Sequence, residues 1–119
     1  MSVASSYPKI LGLMARYFDG LYHCDSDTLR TVFHDKLSYV NATVGNHEFM
    51  GIEAYMTRID NRLSPASRGD VRNEAIDSIT LNGSQMAFVE ARMTMLGRDY
   101  HDLLTLVHEG TEWKVVTKV

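Results

Sequence analysis

A single cysteine among 119 residues, Cys24, excludes an internal disulfide framework. It reads as a small apolar filler near a helix end. Lysine and arginine form no cluster, and the formal net charge is −3. Nucleic acid is therefore not expected as a partner, because binding it needs a basic footprint. No apolar run approaches the length of a bilayer span, so no membrane partner is expected either. Met1 to Ser6 shows no basic segment followed by an apolar one. No export signal is read there, and the expected location is cytoplasmic. His23, His34, His47, His101 and His108 are scattered and lack a His-x-x-x-His spacing, so no metal site is expected. A Gly-x-Gly-x-x-Gly turn, a phosphate loop and a nucleophile elbow are all missing, and no cofactor is expected.

What is present is the composition of one soluble domain, residues 1–119, with 45% hydrophobic and 23% charged residues. The chain is long enough to bury a real core. Its most informative stretch is Arg98 to Val119, two strands around a tight turn. Side chains alternate along a strand, so Tyr100, Asp102, Leu104 and Leu106 share one face. Trp113, Val115, Thr117 and Val119 share a face of the next strand. With Glu109 and Gly110 as a two-residue loop, Leu106 is expected opposite Trp113, Leu104 opposite Val115, and Asp102 opposite Thr117. A carboxylate then stands on an apolar wall.

The preceding chain supplies the cover. Ser5 or Ser6 can cap a first helix with Pro8 in its opening turn. Ile10, Met14, Tyr17 and Leu21 recur at helical spacing, and Leu11, Phe18 and Tyr22 widen the stripe. Asp25-Ser26-Asp27 offers a second cap, leading into a short helix that buries Leu29, Val32 and Phe33. Lys36 to Asn41 and Val44 to Met50 read as strands around Gly45-Asn46. After Gly51, a third helix is marked by Ile52, Tyr55, Met56, Ile59 and Leu63. Ser64 to Gly69 is loop composition. Val71 to Asn82 is a long strand in which Ile76 and Ile79 cannot both face inward without a bulge. Asn82-Gly83 and Leu96-Gly97 are turn signals on either side of the Gln85–Leu96 strand. Pairing about Leu96-Gly97 puts Met93 opposite Tyr100 and Ala91 opposite Asp102.

The element order is thus α-α-β-β-α-β-β-β-β, an α+β domain. A strongly bent, mainly antiparallel sheet wrapped around the N-terminal helix makes a cone, and a cone has a cavity.

The chain resembles the nuclear transport factor 2-like superfamily, which includes ketosteroid isomerase, scytalone dehydratase and the SnoaL-like cyclases. It is most similar to small bacterial proteins described as putative lumazine-binding. The resemblance rests on Tyr17–His23, Leu29–His34, Ser64–Gly69, Asp102–Leu106 and Gly110–Lys118, in that order and spacing. It implies the cone fold, and a cavity that uses acidic and phenolic groups. The chain departs from the family pattern at Asp35, which follows His34 where proline is expected.

Within such a cavity Asp102 is the first candidate for acid–base work. An apolar wall strips water from a carboxylate and disfavours its charged form, which suits proton transfer. On that reasoning Asp102→Asn should cost little stability. His34 is the second candidate, because histidine changes charge near neutral pH, although a histidine at a helix end also serves the helix dipole. Tyr17, Tyr22, Tyr39, Tyr55 and Tyr100 are candidate phenolic donors to a ligand. Met93, Trp113 and Thr117 are candidate wall contacts. Two readings stay open. In the first, the cone binds a small organic ligand, either as a simple binder or as an acid–base enzyme such as an isomerase, dehydratase or cyclase. In the second, it is a non-catalytic homodimeric module with a residual cavity. A homodimer is expected through Phe88, Leu103 and Val116, which interrupt the otherwise charged outer face of the sheet.

Overall fold

Ile10, Met14, Tyr17 and Leu21 are all fully buried, as their helical spacing requires. In the computed structural model, which describes residues 3–119 and the side chains from Ser5 onward, they form the inner stripe of α1 (Val3–His23). Leu13 and Phe18 complete that stripe. Leu11 does not, being 50% exposed, and Tyr22 is only partly buried. The helix also starts earlier than its serines suggest: Ser6 is buried within it, and Pro8 lies inside it. Asp25 caps α2 (Ser26–Arg30), accepting a hydrogen bond from the Thr28 N–H. That helix stops at Arg30, so Val32 and Phe33 are buried beyond it.

The strands are β1 (Phe33–Thr43), β2 (Asn46–Met50), β3 (Asn73–Asn82), β4 (Met86–Met95), β5 (Arg98–Glu109) and β6 (Glu112–Lys118). Between β2 and β3 lies α3 (Ile52–Asp60). It buries Ile52, Tyr55, Met56 and Ile59. Leu63 falls past its end and is 67% exposed, so the expected stripe stops one turn short. The six strands form one curled, unclosed sheet in the order β2-β1-β6-β5-β4-β3. All neighbours are antiparallel except β1 and β6, which run parallel. The expected bulge is present, since the β3–β4 register shifts between Ile76 and Ser78.

The Leu96-Gly97 turn pairs Met95 with Arg98, and both turn residues have positive φ, as a type I′ hairpin demands. Ala91 therefore lies opposite Asp102, and Met93 opposite Tyr100, as expected. The last hairpin differs. Glu109 pairs with Glu112, so the loop is Gly110-Thr111 and not Glu109-Gly110. Its physical reason is that a II′ turn wants glycine first, and Gly110 has φ 64°. Leu106 consequently faces Val115, and Trp113 faces His108. The register then slips between Thr105 and Leu106, leaving Val116 as the extra residue of β6. From there Thr105 faces Thr117 and Leu104 faces Lys118. Inward parity passes from residue 117 to residue 118. Lys118 is buried, whereas Thr117 is partly exposed and Val119 is 41% exposed.

The helices cover the concave face of the sheet, and the α1 stripe shares one core with Val89, Leu104, Leu106 and Val115. Gly20 permits the tight α1–α2 approach, since a Cβ there would sit 2.6 Å from Leu29 Cδ2. No helix among the described residues is long and apolar enough to cross a membrane.

Candidate functional site

Four elements deliver polar groups to one buried point. Asp102 arrives from β5 on the face it shares with Leu104 and Leu106, and is 7% exposed. Tyr17, from the middle of α1, donates its hydroxyl to Asp102 Oδ2 at 2.5 Å. Lys118, from the end of β6, is 6% exposed. Its Nζ lies 3.8 Å from Asp102 Oδ2 and donates to the Tyr55 hydroxyl, from α3, at 2.9 Å. Charges so little hydrated persist only when paired and hydrogen-bonded, and here each has both kinds of partner.

The protonation states follow from these partners. Burial holds the Tyr17 phenol well above the usual tyrosine range, and the negative charge of Asp102 adds to that effect. Tyr17 thus stays a donor. Burial alone would lower the Lys118 ammonium, but the Tyr17 and Tyr55 oxygens and the Asp102 carboxylate outweigh it. Lys118 is held well above the usual lysine range and stays charged.

This floor opens into a cavity of about 390 Å³, lined among others by Tyr39, Tyr55, Arg62, Tyr100, Asp102 and Lys118. The cavity sits past the end of β6, where the second half of β1 faces the start of β5. The Tyr39 and Tyr55 rings stack there, 4.2 Å between centroids and 23° between planes. Burial raises the Tyr39 phenol too, with the neighbouring Tyr55 adding to the shift.

Of the residues singled out from sequence, the fold brings Asp102, Tyr17, Tyr39, Tyr55 and Tyr100 to this region. It carries the others elsewhere. Tyr22 donates to the Asp70 carbonyl and lies under the Arg72 guanidinium. Trp113 packs against His108 and borders a separate groove beside Lys9 and Arg16 of α1. Met93 lines a different depression with Arg92 and His101. Thr117 points away, for the reason given by the β6 bulge. His34 is an early β1 residue, with Nε2 3.2 Å from Glu109 Oε1 and Nδ1 accepting from the Lys36 N–H. It does not line the cavity. Two lining residues, Lys118 and Arg62, carry no sequence signal: strict alternation beside Thr117 and Val119 points Lys118 outward, and Arg62 lies off the Ile52–Leu63 helical stripe.

Among the described residues, no three His, Cys, Asp or Glu side chains are grouped so as to hold a metal ion. Cys24 is free and partly buried, and burial raises its thiol. The chemistry available in the cavity is that of two carboxylates, Asp102 and Asp99, the Lys118 ammonium, the Arg62 guanidinium, the His101 imidazole and phenols.

Residues 5–119 match the family described as putative lumazine-binding. Several solved structures share the fold along the whole chain. An NTF-2 like protein of unknown function from Silicibacter pomeroyi superposes with a TM-score of 0.87 at 21% identity, covering 100% of this chain and 97% of that one. An NTF2-like protein of unknown function from Shewanella baltica gives 0.84 at 20%, over 99% and 94%. One from Methylobacillus flagellatus, also of unknown function, gives 0.85 at 16%, over 100% and 92%. No curated protein matches this chain. At such identities the likeness shows the nuclear transport factor 2-like fold and nothing of the chemistry.

Proposed function

The chain belongs to the putative lumazine-binding family, and from that premise we propose that its cone binds a small organic molecule with Asp102 as the group that exchanges a proton with it. The observation that carries this reading is the buried carboxylate at the floor of the cavity, held by the Tyr17 hydroxyl and open to the lining. An apolar site with a few convergent polar groups is the ordinary form of a ligand pocket. A carboxylate placed against a bound carbon acid or alcohol supports isomerisation, dehydration or cyclisation by acid–base transfer.

The test is a fragment screen by protein-observed NMR on wild type and Asp102→Asn. Fragments that shift Tyr39, Tyr55 and Asp102 resonances are expected, and the substitution should weaken them by at least about tenfold. Fragments that bind with equal strength to Asp102→Asn would remove Asp102 from the reading. A screen in which nothing touches the cavity would remove the reading itself.

Self-association through the outer face of the sheet is the second element of the proposal. Met86, Phe88 and Leu103 are 50%, 36% and 37% exposed there. The strands β4 and β5 bring them together, with Phe88 paired to Thr105 and Leu103 to Glu90. An apolar patch on a sheet supports a two-fold contact with a second copy.

A further inference from the structure

The Lys118 ammonium ends inside a box of phenol rings. Its Nζ lies 4.8 Å from the ring centre of Tyr17, 5.3 Å from that of Tyr55 and 6.0 Å from that of Tyr39. The Asp102 carboxylate closes the box at 3.8 Å. Aromatic faces carry negative potential, so several rings around one point recognise an ammonium ion, and an added carboxylate strengthens the preference. Proteins that bind amine ligands leave such a box empty for the ligand. Here the chain's own side chain occupies it.

We infer that Lys118 is the specificity-determining residue of the cavity: its ammonium is the resident occupant of a cation box, so the cavity excludes amines and takes neutral or anionic ligands through an oxygen acceptor. The acceptor follows from the donors left over. The ammonium has three N–H groups; Tyr55 takes one of them and the Asp102–Tyr17 side of the box draws on a second, which leaves one. The Tyr55 hydroxyl, having accepted from Lys118, keeps its own proton to give, and the polarisation makes it a better donor. Both groups line the cavity, and Arg62 adds a second cation to the same lining. The other lining carboxylate, Asp99, already accepts from the Thr94 hydroxyl. A carbonyl or carboxylate oxygen satisfies this arrangement. A ligand ammonium would have to share Asp102 with Lys118 at close range, where like charges repel.

The ligand half of this inference rests on the cavity being a binding site, as proposed above; the box itself does not. The experiment separates the two. Lys118→Ala removes the atoms of n-propylammonium from the box. Its thermal unfolding is followed in n-propylammonium chloride, in n-propanol and in sodium chloride at equal ionic strength. A saturable rise in melting temperature is expected with the amine alone, absent from wild type and from the Lys118→Ala, Asp102→Asn double variant. Should Lys118→Ala not fold unaided, refolding with the amine takes the place of the melt. Recovery of native circular dichroism supports the box, and no recovery overturns it. In a second arm, benzoate and benzylammonium are titrated by NMR. Wild type is expected to bind benzoate only, and Lys118→Ala to reverse that preference. Benzylammonium binding to the wild-type cavity, or no amine response in Lys118→Ala, overturns the inference. Amine rescue with a wild-type cavity indifferent to both fragments keeps the box, and counts against the ligand reading alone.

Discussion

Tyr17 and Asp102, 85 residues apart in sequence, are joined by a hydrogen bond of 2.5 Å between the phenol and the carboxylate. It ties the middle of α1 to the inner face of β5 at a fully buried point. Apart from the Lys118 ammonium, 3.8 Å from the carboxylate, the side chains packed around the bond are apolar or aromatic. The bond therefore bears on stability as well as on the cavity.

Tyr17→Phe keeps the ring and removes the donor. A hydrogen bond to a charged acceptor contributes about 1.5–3 kcal/mol, and a loss of that size is expected in urea unfolding. A midpoint equal to wild type would mean that the carboxylate finds another donor.

From sequence, Asp102→Asn is expected to cost little, because an apolar wall disfavours the charged carboxylate when no basic partner stands beside it. With Lys118 buried 3.8 Å away, neutralising Asp102 leaves an ammonium without its counter-charge. Breaking a buried pair costs about 3–5 kcal/mol, so Asp102→Asn and Lys118→Met should each be strongly destabilising. The double variant should lose clearly less than the sum of the two. Strict additivity in the double-mutant cycle would show that the two charges do not interact.

Alkaline pH should loosen the fold through the same cluster. Tyr17 and Lys118 are both raised in the folded protein, so each binds its proton more tightly folded than unfolded. Their contribution is complete below the ordinary values of 10.0 and 10.5, and is lost as pH rises past them toward the folded values. Unfolding midpoints measured across that range should fall more steeply for wild type than for the Tyr17→Phe, Lys118→Met double variant. Parallel curves would contradict the assignment.

Gly20→Ala runs against helix propensity. Alanine in a helix interior is ordinarily favoured by about 1 kcal/mol. Here the added Cβ would meet Leu29 Cδ2 at 2.6 Å and Cγ at 2.7 Å, on a side chain with no exposure. Overpacking of this kind costs about 1–3 kcal/mol, so the net change should be a loss in the melting temperature. A gain would show that α2 moves aside freely.

The proposed dimer makes a simple claim on mass. A protomer of 13.5 kDa should sediment at twice that mass at micromolar concentration, and Leu103→Glu should return it to the monomer. A wild-type monomer would sink the proposal.

Local chemistry determined most of the fold. The helical stripe of Ile10, Met14, Tyr17 and Leu21, the acidic cap at Asp25 and the alternation of β4 and β5 depend only on near neighbours. So do the turn at Leu96-Gly97 and the bulge between Ile76 and Ser78. Asp102 could be assigned to the core face because its parity with Leu104 and Leu106 is a property of one strand. The partners of Asp102 were not legible in this way. Reading Gly110-Thr111 as the loop moves β6 by two residues, which changes who faces whom and leaves the inward set intact. The bulge at Val116 moves it by one, which turns Thr117 out and Lys118 in. Val116 is an ordinary strand residue with no turn or glycine signal. Its extra place in the ladder arises from β6 pairing on both edges, with β5 on one side and with β1 in parallel on the other. Only when both neighbours were in position did a lysine near the end of the described chain become the charged floor of the cavity.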